Sequence, residues 1–256
     1  MGEYVQLGAV KTWYAEHGGG EPLVLMHGGL LDARFFAGNL PALAEHFHVY
    51  TPERRGHGHT PDVEGPISYQ LMADDTIAFL ETVVGEPADV VGHSDGAMVA
   101  MLVAMQRPEL VKRLVLISGG FNKSGEADPE MEWDIPMMTQ FLGPAYGEVS
   151  PDGEDHFPVM AAKIGEMFAK EPDLQASELS AITARTLIMY ADDDIVTLAH
   201  SVEMYDSIPN SELAVVPGTS HFLTQEKPGL VNQLVVDFLT HAPIPTMAPI
   251  RRAPAS

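Results

Sequence analysis

An α/β fold on a mostly parallel sheet is what this sequence predicts, and three observations predict it. Apolar runs rich in β-branched residues recur along the chain, beginning near Pro22, Phe47, Asp89, Arg113, Thr186 and Glu212. Segments of helical period lie between several of them, such as "ISYQLMADDTIAFLETVV" from Ile67 and "GAMVAMLVAMQRP" from Gly96; strands alternating with helices imply a parallel sheet. With 256 residues, 45% of them hydrophobic, the chain is long enough to fill a sizeable core.

The elements follow in order. The first twenty residues predict an antiparallel hairpin on the sheet edge. "PLVLMHGG", "FHVYTPE", "DVVGHS", "RLVLISGG", "TLIMYADDD" and "ELAVVPGTSH" read as buried strands. Between Phe121 and Ser180 the strand rhythm stops. Met131, Trp133, Met137, Met138, Phe141, Phe157, Met160, Met167 and Phe168 stand there among many acids, the pattern of an inserted helical lid. "PGLVNQLVVDFLTH" from Pro228 reads as a closing helix. The expected division is a core of residues 1–120 and 181–240, a lid over 121–180, and a proline-rich, disordered tail over 241–256.

Charge narrows the partners. Fourteen Lys and Arg stand against 36 Asp and Glu, a formal net charge of -22, which repels phosphate backbones and anionic lipid surfaces. Neither nucleic acid nor membrane is expected as a partner. With no cysteine, disulfides, thiolate nucleophiles and cysteine-ligated zinc are excluded, and no metal or cofactor is expected. The N-terminus lacks the basic flank and apolar run of a signal peptide, and no apolar stretch approaches the length of a membrane span. The expectation is a cytoplasmic protein; the sequence assigns no oligomeric state.

The chemistry centres on "GHSDG", Gly92 to Gly96. A strand running straight into a helix forces Ser94 onto a tight turn, and Gly92 and Gly96 supply the small neighbours such a turn needs. The pattern fits G-x-S-x-G, in which the hydroxyl is pushed clear of the backbone at the C-terminal edge of the sheet. A serine needs a base, and the base a carboxylate that fixes its tautomer. His221, in "PGTSHF" after the last strand, is the candidate base. The carboxylate comes from "ADDDIV": Asp194 is the candidate, with Asp193 open because three consecutive aspartates blur the register. Backbone N–H groups of Asp95 and of Gly29, in "HGGL", are the candidate oxyanion donors. His27 reads as a residue that shapes this loop.

Taken together, "HGG" at His27, "RRGHGHT" at Arg54, "GHSDGA" at Gly92, "ADDDIV" at Ala191 and "GTSHF" at Gly218 resemble the α/β-hydrolase superfamily over about residues 1–240, and the chain order Ser, Asp, His matches. The resemblance implies a mostly parallel eight-stranded sheet flanked by helices, with a small helical cap inserted before the acid-bearing strand. It also implies that the "RRGHGHT" loop is structural. In valacyclovirase-like hydrolases an aspartate placed like Asp95 is associated with the substrate's ammonium group, which implies amino-acid esters as one possible substrate. Ala191 departs from the glycine usual before the acid. The expected function is a carboxylesterase-like serine hydrolase of small to medium apolar esters, with Leu30, His93, Trp133, Met138 and Phe222 as candidate pocket residues. Lactone or carbon–carbon bond hydrolysis, or a slow-turnover receptor on the same scaffold, are the alternatives.

Overall fold

The computed structural model describes residues 2–130, 132–243 and 245–249. A hairpin opens the chain, β1 (Glu3–Leu7) pairing antiparallel with β2 (Val10–Tyr14). There follow β3 (Glu16–Gly18), β4 (Glu21–Met26), α1 (Leu40–Ala44), β5 (Phe47–Tyr50) and α2 (Tyr69–Phe79). Next come β6 (Ala88–His93), α3 (Asp95–Gln106) and β7 (Val111–Ile117). Then α4 (Ile135–Gly147) and α5 (Phe157–Phe168) intervene before β8 (Arg185–Asp193). The chain closes with α6 (Leu198–Ser207), β9 (Ser211–Ser220), α7 (Leu223–Glu226) and α8 (Pro228–Thr240).

Among the described residues the main sheet has seven strands in the order β3-β5-β4-β6-β7-β8-β9, parallel throughout except for β3. The sheet thus falls one short of the eight strands implied by the resemblance. The first hairpin forms its own two-stranded sheet, held to the body by backbone bonds from Thr51 to Ala15 and from Glu53 to Trp13. These are too sparse to make it a further strand.

Alternation along the strands builds two cores. Val24 and Met26 of β4 face α2 and α3, where Met72, Phe79, Val99 and Met101 are buried. Leu23 and Leu25, one residue out of phase, face Leu43 of α1 and Val231, Val235 and Phe238 of α8. A sheet so covered is dry on both faces, which is why its strands read as continuous apolar runs. Its C-terminal edge is left for chemistry.

Among its described residues the segment expected as a lid contains α4 and α5 and no strand of the main sheet. Phe157, Met160, Ile164 and Met167 of α5 are buried, whereas Phe141 on α4 is 72% exposed. Polar clasps tie it to loops of the body. Lys163 Nζ donates to both oxygens of Asp62 at 2.8 and 2.6 Å, and His156 Nε2 lies 2.9 Å from the same carboxylate. Arg34 donates to Glu148 at 2.7 Å and the Tyr69 N–H to Glu171 at 2.8 Å. Met131 lies outside the described residues, as do residues 244 and 250–256 of the expected tail; the described tail residues form no helix or strand. Among the described residues no helix is long and apolar enough to cross a membrane.

Candidate active site

Ser94 stands between β6, whose six residues are all buried, and the first turn of α3. Its backbone is at φ 53° and ψ -120°, a region that costs a non-glycine residue free energy and persists where the surroundings fix it. Two constraints fix it here: the Ser94 N–H donates to Ile117 O at 2.8 Å, and α3 begins at the next residue. Gly96 permits the packing, since a Cβ there would collide with the carbonyl oxygen of Met26. The turn lifts the hydroxyl off the sheet edge.

His221 and Asp194 meet that hydroxyl from the ends of β9 and β8. His221 Nε2 lies 3.0 Å from Ser94 Oγ, and Nδ1 lies 2.7 Å from Asp194 Oδ1. With the proton on Nδ1 donated to the carboxylate, Nε2 is free to accept from the serine. The other Asp194 oxygen accepts from the Ser118 hydroxyl and from the Ala191 N–H. Burial works to raise the Asp194 pKa, but the hydrogen bond and charge of His221, with the Ser118 bond, outweigh it and hold the carboxyl below its ordinary range. Asp193 is exposed and paired in register with Ser220, and Asp192 accepts the Thr219 N–H. Of the three aspartates, only Asp194 turns inward to the histidine.

Gly29 and Asp95 come together on the other side of Ser94. The Asp95 carboxylate fills the space where a Cβ on Gly29 would stand, so residue 29 must be glycine for this approach. Beneath, the guanidinium of Arg54 donates to the carbonyls of His27 and Gly28, and His27 Nδ1 bonds Gly28 O at 2.8 Å. Both side chains brace the loop. Burial lowers Arg54 to about 10 and leaves His27 well below its usual range.

Asp95 itself is fully buried. Oδ1 accepts from the Tyr69 hydroxyl at 2.9 Å, while Oδ2 has no hydrogen-bond partner among the described residues. Burial pushes its pKa up, opposed by the charge of Arg54 and the bond from Tyr69.

A cavity of about 140 Å³ opens on these groups, lined by Ser94, Asp95, His221, Tyr69, Met98, Phe168, Ile195 and Val196, with Lys123, Glu126 and Glu171 among its polar side chains. None of the five candidate pocket residues is in this lining. His93 is buried behind the triad, its Nε2–H donating to His221 O at 2.8 Å, so it holds the histidine loop from beneath. Trp133 donates to Ala161 O and stands edge-on to Phe168, 5.0 Å away; it backs a wall instead of forming one. Met138 packs on the buried core. Phe222 is 45% exposed, and Leu30 lines a separate cavity with Leu142 and Tyr146. His93 and Phe222, next to Ser94 and His221 in sequence, stay out of this lining, whereas Asp95 and Ile195, next to Ser94 and Asp194, are part of it. Tyr69, Met98 and Ser118 carried no local signal: they converge only through the fold.

A family model described as the alpha/beta hydrolase family matches residues 23–234. The (E)-2-((N-methylformamido)methylene)succinate hydrolase of Acinetobacter baylyi is 23% identical over 251 residues, covering 90% of this chain and 94% of that protein. A meta-cleavage product hydrolase from Pseudomonas fluorescens IP01 superposes with a TM-score of 0.75 at 22% identity, covering 93% of this chain and 97% of that one. The enol-lactonase of Burkholderia xenovorans LB400 does so with 0.74 at 22% identity, covering 93% and 100%.

Proposed function

Because the chain belongs to the alpha/beta hydrolase family, we propose that it is a serine hydrolase that cleaves carboxylic esters of small to medium apolar substrates through an acyl-enzyme on Ser94. The observation that carries this reading is the hydrogen-bonded line from Ser94 Oγ through His221 to Asp194. In this mechanism Ser94 Oγ attacks the ester carbonyl as His221 Nε2 takes its proton, and Asp194 stabilises the imidazolium without being protonated. The N–H groups of Gly29 and Asp95 take the charge that develops on the carbonyl oxygen. His221 then returns the proton to the departing alkoxide, and a water molecule, activated by the same nitrogen, releases the acid.

An ester is the least demanding substrate for such a site, since an alkoxide leaves more readily than an amine or a carbanion. The apolar cavity walls at Met98, Phe168, Ile195 and Val196 support an apolar acyl group. A lactone is the same bond closed into a ring and needs the same steps, so lactones belong in the assay panel. Carbon–carbon bond cleavage of an anionic diketone finds less support, because among the described residues Lys123 is the one Lys or Arg in the cavity lining and it lies 3.9 Å from Glu126.

Treatment with a fluorophosphonate should give a single adduct, on Ser94 by peptide mass spectrometry, and Ser94→Ala should lose more than about a thousandfold in kcat on a p-nitrophenyl ester. An adduct elsewhere with Ser94 unmodified would sink the assignment. Steady-state turnover above about one per second separates an enzyme from a slow receptor on the same scaffold.

A further inference from the structure

The unpartnered oxygen of Asp95 is the feature of the cavity that the ester mechanism leaves unused. A carboxylate oxygen with no partner is costly to bury, and a native fold keeps such a group where something outside the chain completes it. Three sides of it are closed. Tyr69 holds Oδ1, the Gly29 backbone lies against Oδ2, and Phe168 closes over Gly29. Asp95 is also among the residues that line the cavity shared with Ser94 and His221.

We infer that Asp95 Oδ2 accepts a hydrogen bond from a neutral donor, a hydroxyl or an amide N–H, carried on the acyl part of the substrate. The acyl part is assigned by geometry. His221 must face the leaving group to return its proton, whereas Asp95 lies on the Gly29 side, where the carbonyl oxygen is held. The ammonium group of an amino-acid ester, which the resemblance implied, fits less well. Arg54, fully buried beneath the same loop, already supplies a cation that acts on Asp95, and a substrate ammonium would add a second desolvated positive charge to one negative one. The acids at the rim are also engaged: Glu171 accepts the Tyr69 N–H and Glu126 pairs with Lys123. A hydroxyl or amide satisfies Oδ2 without changing the net charge of the interior.

This inference rests on the proposed acyl-enzyme chemistry, and the test keeps the two apart. The p-nitrophenyl esters of 3-hydroxybutyrate, 3-methylbutyrate and 3-aminobutyrate place a hydroxyl, a methyl and an ammonium at one position in nearly equal volume. With the wild-type protein, kcat/KM for the hydroxy ester should exceed that for the methyl ester by about tenfold or more, after correction for their rates with hydroxide, and should exceed that for the amino ester. In Asp95→Ala, which removes the acceptor without supplying a donor in its place, the hydroxy-to-methyl ratio should fall toward one. A wild-type ratio of one or below, with Ser94 still acylated, would overturn the donor subsite and leave the ester reading standing. A wild-type preference for the amino ester would overturn the neutral-donor assignment in favour of a cation. No acylation of Ser94 by any of the three would overturn both readings.

Discussion

Two neighbouring residues, Ser94 and Asp95, each carry a local cost in the folded state. Ser94 stands in a left-handed backbone region, and Asp95 buries a carboxylate with one unpartnered oxygen; both cost stability that the surrounding packing offsets. The sign of the Asp95 effect follows from its pKa. A carboxyl whose folded value is raised disfavours its charged form in the native state, so the penalty is present above the folded value and gone below the ordinary one near 3.9. Asp95→Asn keeps the shape and removes the charge, so it should raise Tm at pH 7 by about 2 °C or more, the advantage vanishing as pH falls toward 4. A variant less stable than wild type at pH 7 would count against the penalty. The proposed triad acid offers a second test at this scale. Asp194→Asn should lose about a thousandfold or more in kcat, and Asp193→Asn should lose little, because only Asp194 reaches His221. Equal, mild losses would place the acid elsewhere. Ser94, His221 and the aspartate cluster were legible in the sequence because each lies at a strand exit marked by glycine or by acids. The choice between Asp193 and Asp194 was not legible, since one residue of strand length decides it and β8 runs on to Asp193.

Among the elements, the strands and core helices were readable from periodicity alone, whereas the segment between β7 and β8 was readable only as a change of rhythm. Its methionines and aromatics suit either a pocket wall or packing glue, and composition does not separate the two. Contacts do: Phe168 reaches the cavity, while Trp133 supports it from behind and Met138 joins the core. Phe168→Ala should therefore shift chain-length preference among p-nitrophenyl esters toward longer acyl groups, and Met138→Ala should leave the preference unchanged while lowering stability. The reverse pattern would make α4, not α5, the wall. The same segment carries 13 acidic residues against three lysines, and Glu126 and Glu171 line the cavity itself. Its field should disfavour esters bearing a carboxylate relative to neutral ones of equal size. Since screening acts over about 10 Å at 0.1 M salt, that gap in kcat/KM should narrow as ionic strength rises. A gap indifferent to salt would assign the selectivity to pocket shape.

For the molecule as a whole, the parallel sheet is what makes both the reading and the site possible. Dry on both faces, it writes its strands as apolar runs, and at its C-terminal edge Ser94, His221 and Asp194 meet. The edge hairpin was the part least well read, since whether it joins the main sheet depends on a few backbone bonds and not on its own pattern. The same dryness traps histidines beneath the edge. His57 is 1% exposed, its Nδ1–H donates to Arg55 O, and its Nε2 has no partner among the described residues. Burial, then the charge of Arg54, lowers its pKa to about 3. In the unfolded chain the ring titrates near 6.5. Between about 6.5 and 3 the unfolded state therefore binds a proton that the folded state refuses, and stability from this group, complete above 6.5, is lost as pH falls. Each pH unit in that window removes about 1.4 kcal/mol per histidine. A direct comparison with wild type isolates it, because every other titrating group cancels in the difference. His57→Phe should be less stable at pH 8, where a well-packed polar ring is replaced. Its deficit in urea unfolding should shrink from pH 6.5 to pH 5, since only the wild type pays for keeping the ring neutral. A deficit that stays constant over that range would mean that His57 is protonated in the folded protein and that Arg54 does not set the charge state of this loop.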